Sequence, residues 1–225
     1  MKKLVLGYCP QGNGTSIAPF DRVFGAKQDI SKSIEGVDAV VFWGGTDIHP
    51  SLYKEKPHKR SQCLFSTPSS RDIFEWNAMK YCLTNNIPMI GVCRGAQMLC
   101  AFAGGRLIQD CDGHVGGSGG GHPITVLNGP IGTKNIYATS CHHQMMYPFD
   151  VPHEMLGWSS VHQSSRYENA EGLVNMDGKV EPEIVYFPDI KGFAIQGHPE
   201  WAENTPFADH CNKLINELFF QTIEV

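Results

Sequence analysis

The sequence predicts an α/β fold: a mixed, mainly parallel sheet with helices on both faces, with residues 1–225 forming a single domain. Three observations lead there. Strand-like runs at 3–8, 38–43, 88–92, 123–127 and 183–187 alternate with helix-like stretches at 69–84, 94–103 and 204–220, and such alternation builds open sheets covered on both sides. The run at 88–92 ends on a cysteine flanked by glycines and turns straight into a helix, at the end of a strand where such sheets place their sites. With 225 residues, 41% of them hydrophobic, and no linker or internal repeat, the chain can bury one large core.

The first element, MKKLVLGYC, imitates a secretion signal. Its apolar run is too short, and Tyr8 before Cys9 is wrong for processing, so it reads as the first strand. The net charge of −5, with 18 basic residues outnumbered by 23 acidic ones, carries no signal for nucleic acid or membrane as a partner. Eight cysteines (Cys9, Cys63, Cys82, Cys93, Cys100, Cys111, Cys141, Cys211) occur without a Cys-x-x-Cys pair. That usage predicts a reducing, cytoplasmic location, with most thiols inert in the core.

Cys93 is the exception. Ile87 to Gln97 read IPMIGVCRGAQ, the pattern of a nucleophile elbow, in which a bulky residue two places to either side would collide with the nucleophile. Those places hold Gly91 and Gly95. The helix that follows aims its free N–H groups and positive dipole end at Cys93, favouring the thiolate. A thiolate nucleophile needs a base and a group that orients the base. The segment Gly192 to Trp201, GFAIQGHPEW, supplies His198 as base and, across the rigid Pro199, Glu200 as its orienter. A third strand-like run leads into VVFWGGTDIHPSLY at Val40 to Tyr53. Its paired glycines let the backbone approach a substrate, so the amides of Gly45 and Arg94 are the expected oxyanion hole for an acyl intermediate.

These segments together resemble the class I glutamine amidotransferase superfamily, most closely its γ-glutamyl hydrolase branch. The support is PMIGVCRGAQ, GGTDIHPSLY at Gly44 to Tyr53, RDIFE at Arg71 to Glu75, GGRLIQD at Gly104 to Asp110, SCHHQ at Ser140 to Gln144, and the terminal QGHPE. The resemblance implies a flavodoxin-like three-layer sandwich. It also implies hydrolysis of a small γ-glutamyl amide through a glutamyl thioester, with Gly44, Gln97, His142 and Gln144 around the glutamyl group and no metal or organic cofactor. The alternative is a glutaminase chain feeding ammonia to a separate synthetase, a partner needed under that alternative alone; a homodimer stays open under both. A non-catalytic relative is disfavoured by the intact Cys93, His198 and Glu200.

Some residues depart from the family pattern. Gly197 stands where an aromatic often precedes the catalytic histidine, which predicts more room beside His198, and Cys141 replaces another aromatic. The segment before the WGG loop is short, and Gly113 to Gly121 (GHVGGSGGG) reads as a flexible, chain-specific loop that lacks the lysine of a phosphate-binding loop. His114, His122, His142 and His143 raise metal binding, but no helical His-x-x-x-His or Cys-x-x-Cys frame supports it, so no metal is expected. Lys54, Lys56, His58, Lys59 and Arg60 form a basic cluster after the oxyanion loop. It reads first as a solvated surface, and otherwise as a contact for an anionic leaving group.

Overall fold

The structure is a computed structural model that describes residues 3–6, 20, 23–24, 26–29, 34–63, 66–116, 120–129, 132–201 and 203–221. In chain order its strands are β1 (Lys3–Leu6), β2 (Ala26–Asp29), β3 (Ala39–Phe42), β4 (Met89–Val92), β5 (Arg106–Ile108), β6 (Asp110–Cys111) and β7 (Gly121–Leu127). There follow β8 (Thr133–Thr139), β9 (Met145–Tyr147), β10 (Glu154–Ser159), β11 (Tyr167–Asn169), β12 (Gly172–Leu173), β13 (Pro182–Phe187) and β14 (Gly192–Ile195). The helices are α1 (Ser70–Thr84), α2 (Arg94–Phe102) and α3 (Pro206–Phe219). Nine strands form one sheet in the order β2-β1-β3-β4-β14-β13-β10-β7-β8.

The half from β2 to β14 is parallel throughout, and the other four strands continue it antiparallel. The mixed sheet with a parallel core was expected from sequence; the extent of the antiparallel wing was not. Every predicted strand and helix is present, within two residues at each end that the structure describes; residues 7 and 8 lie outside the described residues.

Strand alternation decides which helix covers which face. Val40, Phe42, Met89 and Ala194 pack with Met79 and Cys82 of α1 and with Met98 and Leu99 of α2. Their neighbours Val41, Ile90, Val92, Phe193 and Ile195 turn the other way, onto Phe207, Cys211 and Ile215 of α3. Two helices therefore lie on one face and one on the other. The start of α1 is fixed by a capping box: Ser69 Oγ accepts from the Asp72 N–H, and an Asp72 carboxylate oxygen accepts from the Ser69 N–H. Thr205 caps α3 ahead of Pro206.

The described cysteines are free thiols. Burial pushes Cys82 and Cys100 up to about 12, as expected of inert core thiols. Cys9 lies outside the described residues. Among the described residues, no helix is long and apolar enough to cross a membrane.

Candidate active site

The site forms where three parallel strands end on one edge of the sheet. β4 and β14 run side by side with Val92 opposite Ile195, and the Cys93 N–H donates to the Ile195 carbonyl at 2.7 Å. Cys93 follows at φ 52° and ψ −107°, a conformation rare for a residue with a side chain, and makes no side-chain cap to α2. Its thiol is thus left available at the N-terminus of a helix. The two glycines are required, though for a different reason from the one expected: a Cβ on Gly91 would strike the backbone of Gly95, and a Cβ on Gly95 would strike the Phe42 carbonyl at the end of β3. They permit helix α2 to sit down on β3 and β4.

His198 reaches the same place three residues beyond β14. Its Nδ1 lies 2.8 Å from Glu200 Oε1, and its ring stacks flat on Trp201, with centroids 3.7 Å apart. Thr139 Oγ1 donates to the His198 carbonyl at 2.5 Å, and the His198 N–H donates to the Thr139 carbonyl at 3.2 Å. Burial disfavours a charged ring, but the facing Cys93 sulfur, to which it is hydrogen-bonded, and the Glu200 carboxylate outweigh that and raise His198 to about 10. Trp201 and Thr139 were not singled out from sequence. For Trp201 the available signal was an aromatic closing the HPEW segment, three residues after the proposed base.

The glycine loop abuts this pair. A Cβ on Gly44 would lie 3.1 Å from His198 Cε1 and 3.6 Å from Cys93 Cβ, and Gly45 sits at φ 148°, which only glycine adopts readily. Arg71 holds the loop from behind. Its guanidinium donates to the Gly44 carbonyl at 3.1 Å and the Trp43 carbonyl at 3.0 Å, while its Nε donates to Glu75 Oε1 at 3.0 Å. Glu75 also bonds Arg94 Nη1, and Arg94 Nη2 reaches Asp72 Oδ1 at 2.5 Å. The RDIFE motif is therefore a buried charge cluster that ties the Gly44–Gly45 loop to Arg94, the residue after Cys93.

The remaining predicted residues gather on the neighbouring wall. Gln97 Nε2 donates to the Gln144 carbonyl at 2.8 Å, and His142 Nδ1 lies 2.9 Å from that same oxygen. Gln144 Nε2 donates to the Gln109 carbonyl at 3.2 Å. Burial, with the facing His114, holds His142 well below the ordinary imidazole range. Its neighbour His143 bridges Asp47 Oδ1 at 3.0 Å and Asp110 Oδ1 at 3.4 Å, so the Asp of the GGTDIHP segment is a tether.

One smaller expectation changes and two are narrowed. The space beside Gly197 is closed, since a Cβ there would lie 2.6 Å from the Thr139 carbonyl and 3.0 Å from the Phe207 ring. The described ends of the glycine loop are pinned, with Gly116 donating to Ser140 O and Ser140 to Gly120 O; residues 117–119 lie outside the described residues. In the basic cluster, Arg60 pairs with Asp110 at 2.9 Å and buried His58 lies 3.6 Å from Glu168, whereas Lys54, Lys56 and Lys59 are exposed.

The architecture is that of the class I glutamine amidotransferases. A solved structure described as a GMP synthase component from Thermoplasma acidophilum superposes with a TM-score of 0.58 at 16% identity, covering 97% of this chain and 94% of that one. The model of the Peptidase C26 family matches residues 18–200, and the chain belongs to that family of glutamine amidotransferase-like hydrolases. The glutamine amidotransferase-like protein YvdE of Lactococcus lactis is 32% identical over 216 residues, which span 92% of this chain and 82% of that protein. A gamma-glutamyl-CDP-amidate hydrolase of Campylobacter jejuni is 34% identical over 80 residues, 36% of this chain and 34% of that protein.

Proposed function

We propose that the protein is a cysteine hydrolase that cleaves the amide of a small γ-glutamyl compound and releases glutamate. The observation that carries this is the strained Cys93 facing a Glu200-held His198. Cys93 Sγ attacks the γ-carbonyl carbon, and the Gly45 and Arg94 amides hold the oxyanion. Imidazolium His198 gives its proton to the departing amine, leaving a glutamyl thioester. Neutral His198 then takes a proton from water as the hydroxide attacks the thioester carbonyl; the C–S bond breaks, glutamate leaves, and the Cys93 thiolate is restored beside imidazolium His198.

Gly44, Gln97, His142 and Gln144 line the glutamyl pocket in this proposal. The γ-glutamyl preference is supported by the similarity to the gamma-glutamyl-CDP-amidate hydrolase, and the exposed lysines at 54, 56 and 59 suit an anionic leaving group. This chemistry calls on no metal or organic cofactor. The test is glutamate release from glutamine and from a panel of γ-glutamyl amines, phosphorylated ones included. Selective turnover of a substituted amine, abolished in a folded Cys93→Ala protein, is expected. Activity retained in that variant, or glutamine turnover that appears only when a synthetase is added, would overturn the proposal.

A further inference from the structure

A second cluster of titratable side chains lies apart from Cys93. His114, His122 and Glu183 are buried, and each offers a donor atom within 4.8 Å of the others. His122 comes from β7, Glu183 from β13, and His114 from the segment before β7. Glu183 Oε1 lies 3.1 Å from His122 Nε2 and 3.8 Å from His114 Nδ1. These contacts fall outside hydrogen-bond geometry: both Glu183 oxygens, His122 Nε2 and both His114 nitrogens are buried without a hydrogen-bond partner. A buried carboxylate whose nearest partner, His122 Nε2 at 3.1 Å, is out of hydrogen-bond alignment is left under-satisfied, which is unfavourable. Three buried donor atoms this close to one another, two imidazole nitrogens and a carboxylate oxygen, are the set a cation requires.

We propose that His114, His122 and Glu183 bind a divalent transition-metal ion of zinc-like preference. Zinc held at about 2.0–2.1 Å in a tetrahedral site keeps its donors roughly 3.4 Å apart, and the separations of Glu183 from the two histidines, two of the three, bracket that value. The outer partners fit as well. His122 Nδ1 lies 3.1 Å from Ser159 Oγ and 3.3 Å from the Pro123 carbonyl, and His114 Nε2 lies 3.4 Å from Glu181 Oε2. The contacts at His122 Nδ1 orient that imidazole and fix its tautomer, as outer partners of a ligating histidine do, while Glu181 stands beside His114 at ion-pair distance. Glu181 and Glu183, both fully buried, match the two charges of the ion.

The ion acts as a strut, linking β7 and β13 to the wall of the neighbouring site. The His114 carbonyl accepts from Ser140 Oγ at 2.9 Å and from the His142 N–H at 3.0 Å, and the His114 ring packs 4.4 Å from that of His142. No local spacing announces the site, because its donors come from two strands and a loop brought together by the fold alone. This inference is independent of the proposed hydrolase activity.

The test uses the full-length, untagged chain carrying Cys93→Ser, so that the Cys93–His198 pair cannot capture zinc. Zinc content after dialysis, and competition with a chromophoric chelator, are expected to give one tightly held ion per chain. Cobalt(II) should give visible bands without thiolate charge transfer. Glu183→Gln should weaken binding at least 100-fold, and Ser159→Ala, which leaves the ligands in place, roughly 10- to 100-fold. His153→Gln should change nothing. Should Glu183→Gln fail to fold, Ser159→Ala decides. Absence of stoichiometric zinc, or affinity unchanged in Ser159→Ala or in a folded Glu183→Gln, would overturn the proposal and leave imidazolium–carboxylate pairs in its place.

Discussion

Glu75→Gln keeps the shape of the side chain and removes one charge from a cluster that has no solvent to replace it. Arg71 and Arg94 are balanced by Asp72 and Glu75, with exposures of 12%, 2%, 1% and 0% in that order. The variant leaves one buried guanidinium charge without its counterion, which typically costs about 3–5 kcal/mol. For a domain of this size each kcal/mol moves Tm by roughly 2–4 °C, so a fall of roughly 6–20 °C is expected. Thermal and urea unfolding followed by circular dichroism reads it. The same change loosens Arg71 from behind the Gly44 and Trp43 carbonyls, so kcat should fall with the glycine loop less well fixed. Adding Arg94→Met restores neutrality and keeps the backbone amide. The double variant should recover at least about 1 kcal/mol relative to the sum of the single changes. A Tm within about 2 °C of the parent, or strictly additive effects, would refute the view that these charges act as one unit.

Three further outcomes are expected. Gly95→Ala drives a methyl group into the Phe42 carbonyl; stability should drop by about 1–3 kcal/mol, and the displaced elbow should lose most of its activity, as steady-state kinetics beside urea unfolding would reveal. Glu200→Gln removes one of the charges that raise His198, so the alkaline limb of kcat/KM, placed near pH 10 in the parent, should move to lower pH; a limb that stays put would show Glu200 to be without electrostatic effect on the ring. His210, 2% exposed with both ring nitrogens unpartnered, is held down to about 4 by burial and by Lys134 and Lys213. Its folded value lies below its unfolded one, so the stability it contributes is complete above about pH 6.5 and is lost as pH falls toward 4. His210→Leu should therefore gain on the parent by about 2–3 kcal/mol between about pH 7 and about pH 4 in urea titrations, and a constant difference would contradict the assignment.

The centre of the parallel half was legible because β3 and β4 are covered on both faces and read as continuous apolar runs, VVF at Val40 to Phe42 and MIGV at Met89 to Val92. In the antiparallel wing β7 and β13 were legible as well, but β8 and β10 were not. β8, TKNIYAT, is an edge strand whose residues are mostly exposed, so little burial imprints a pattern on it. β10, EMLGWS, carries register shifts at Gly157 that break the period of two. The nucleophile segment stood out because a strand, a cysteine and two glycines fall within a few residues of one another. Arg71, Asp72 and Glu75 were visible as a motif, but their task depends on a contact with Arg94, well beyond the reach of one helix, that no local spacing encodes.

The placement of that cluster follows from what the site lacks. Gly44 brings the backbone against Cys93 and His198 and Gly45 brings it against Arg71 and Arg94, and the same absence of side chains leaves these two residues with nothing of their own to pack. Rigidity must come from groups that grip carbonyls, and the planar, multiply donating guanidinium of Arg71 does this at two successive residues. A guanidinium placed there needs a buried carboxylate, Glu75; Glu75 takes a second partner in Arg94, and Arg94 is balanced in turn by Asp72. Asp72 already caps α1 through its other oxygen. The chain of contacts runs from the start of α1 to the start of α2, so both amides proposed for the oxyanion hole are referred to one frame. Loosening any member should displace Gly45 and Arg94 relative to each other, which is the geometry that transition-state stabilisation depends on.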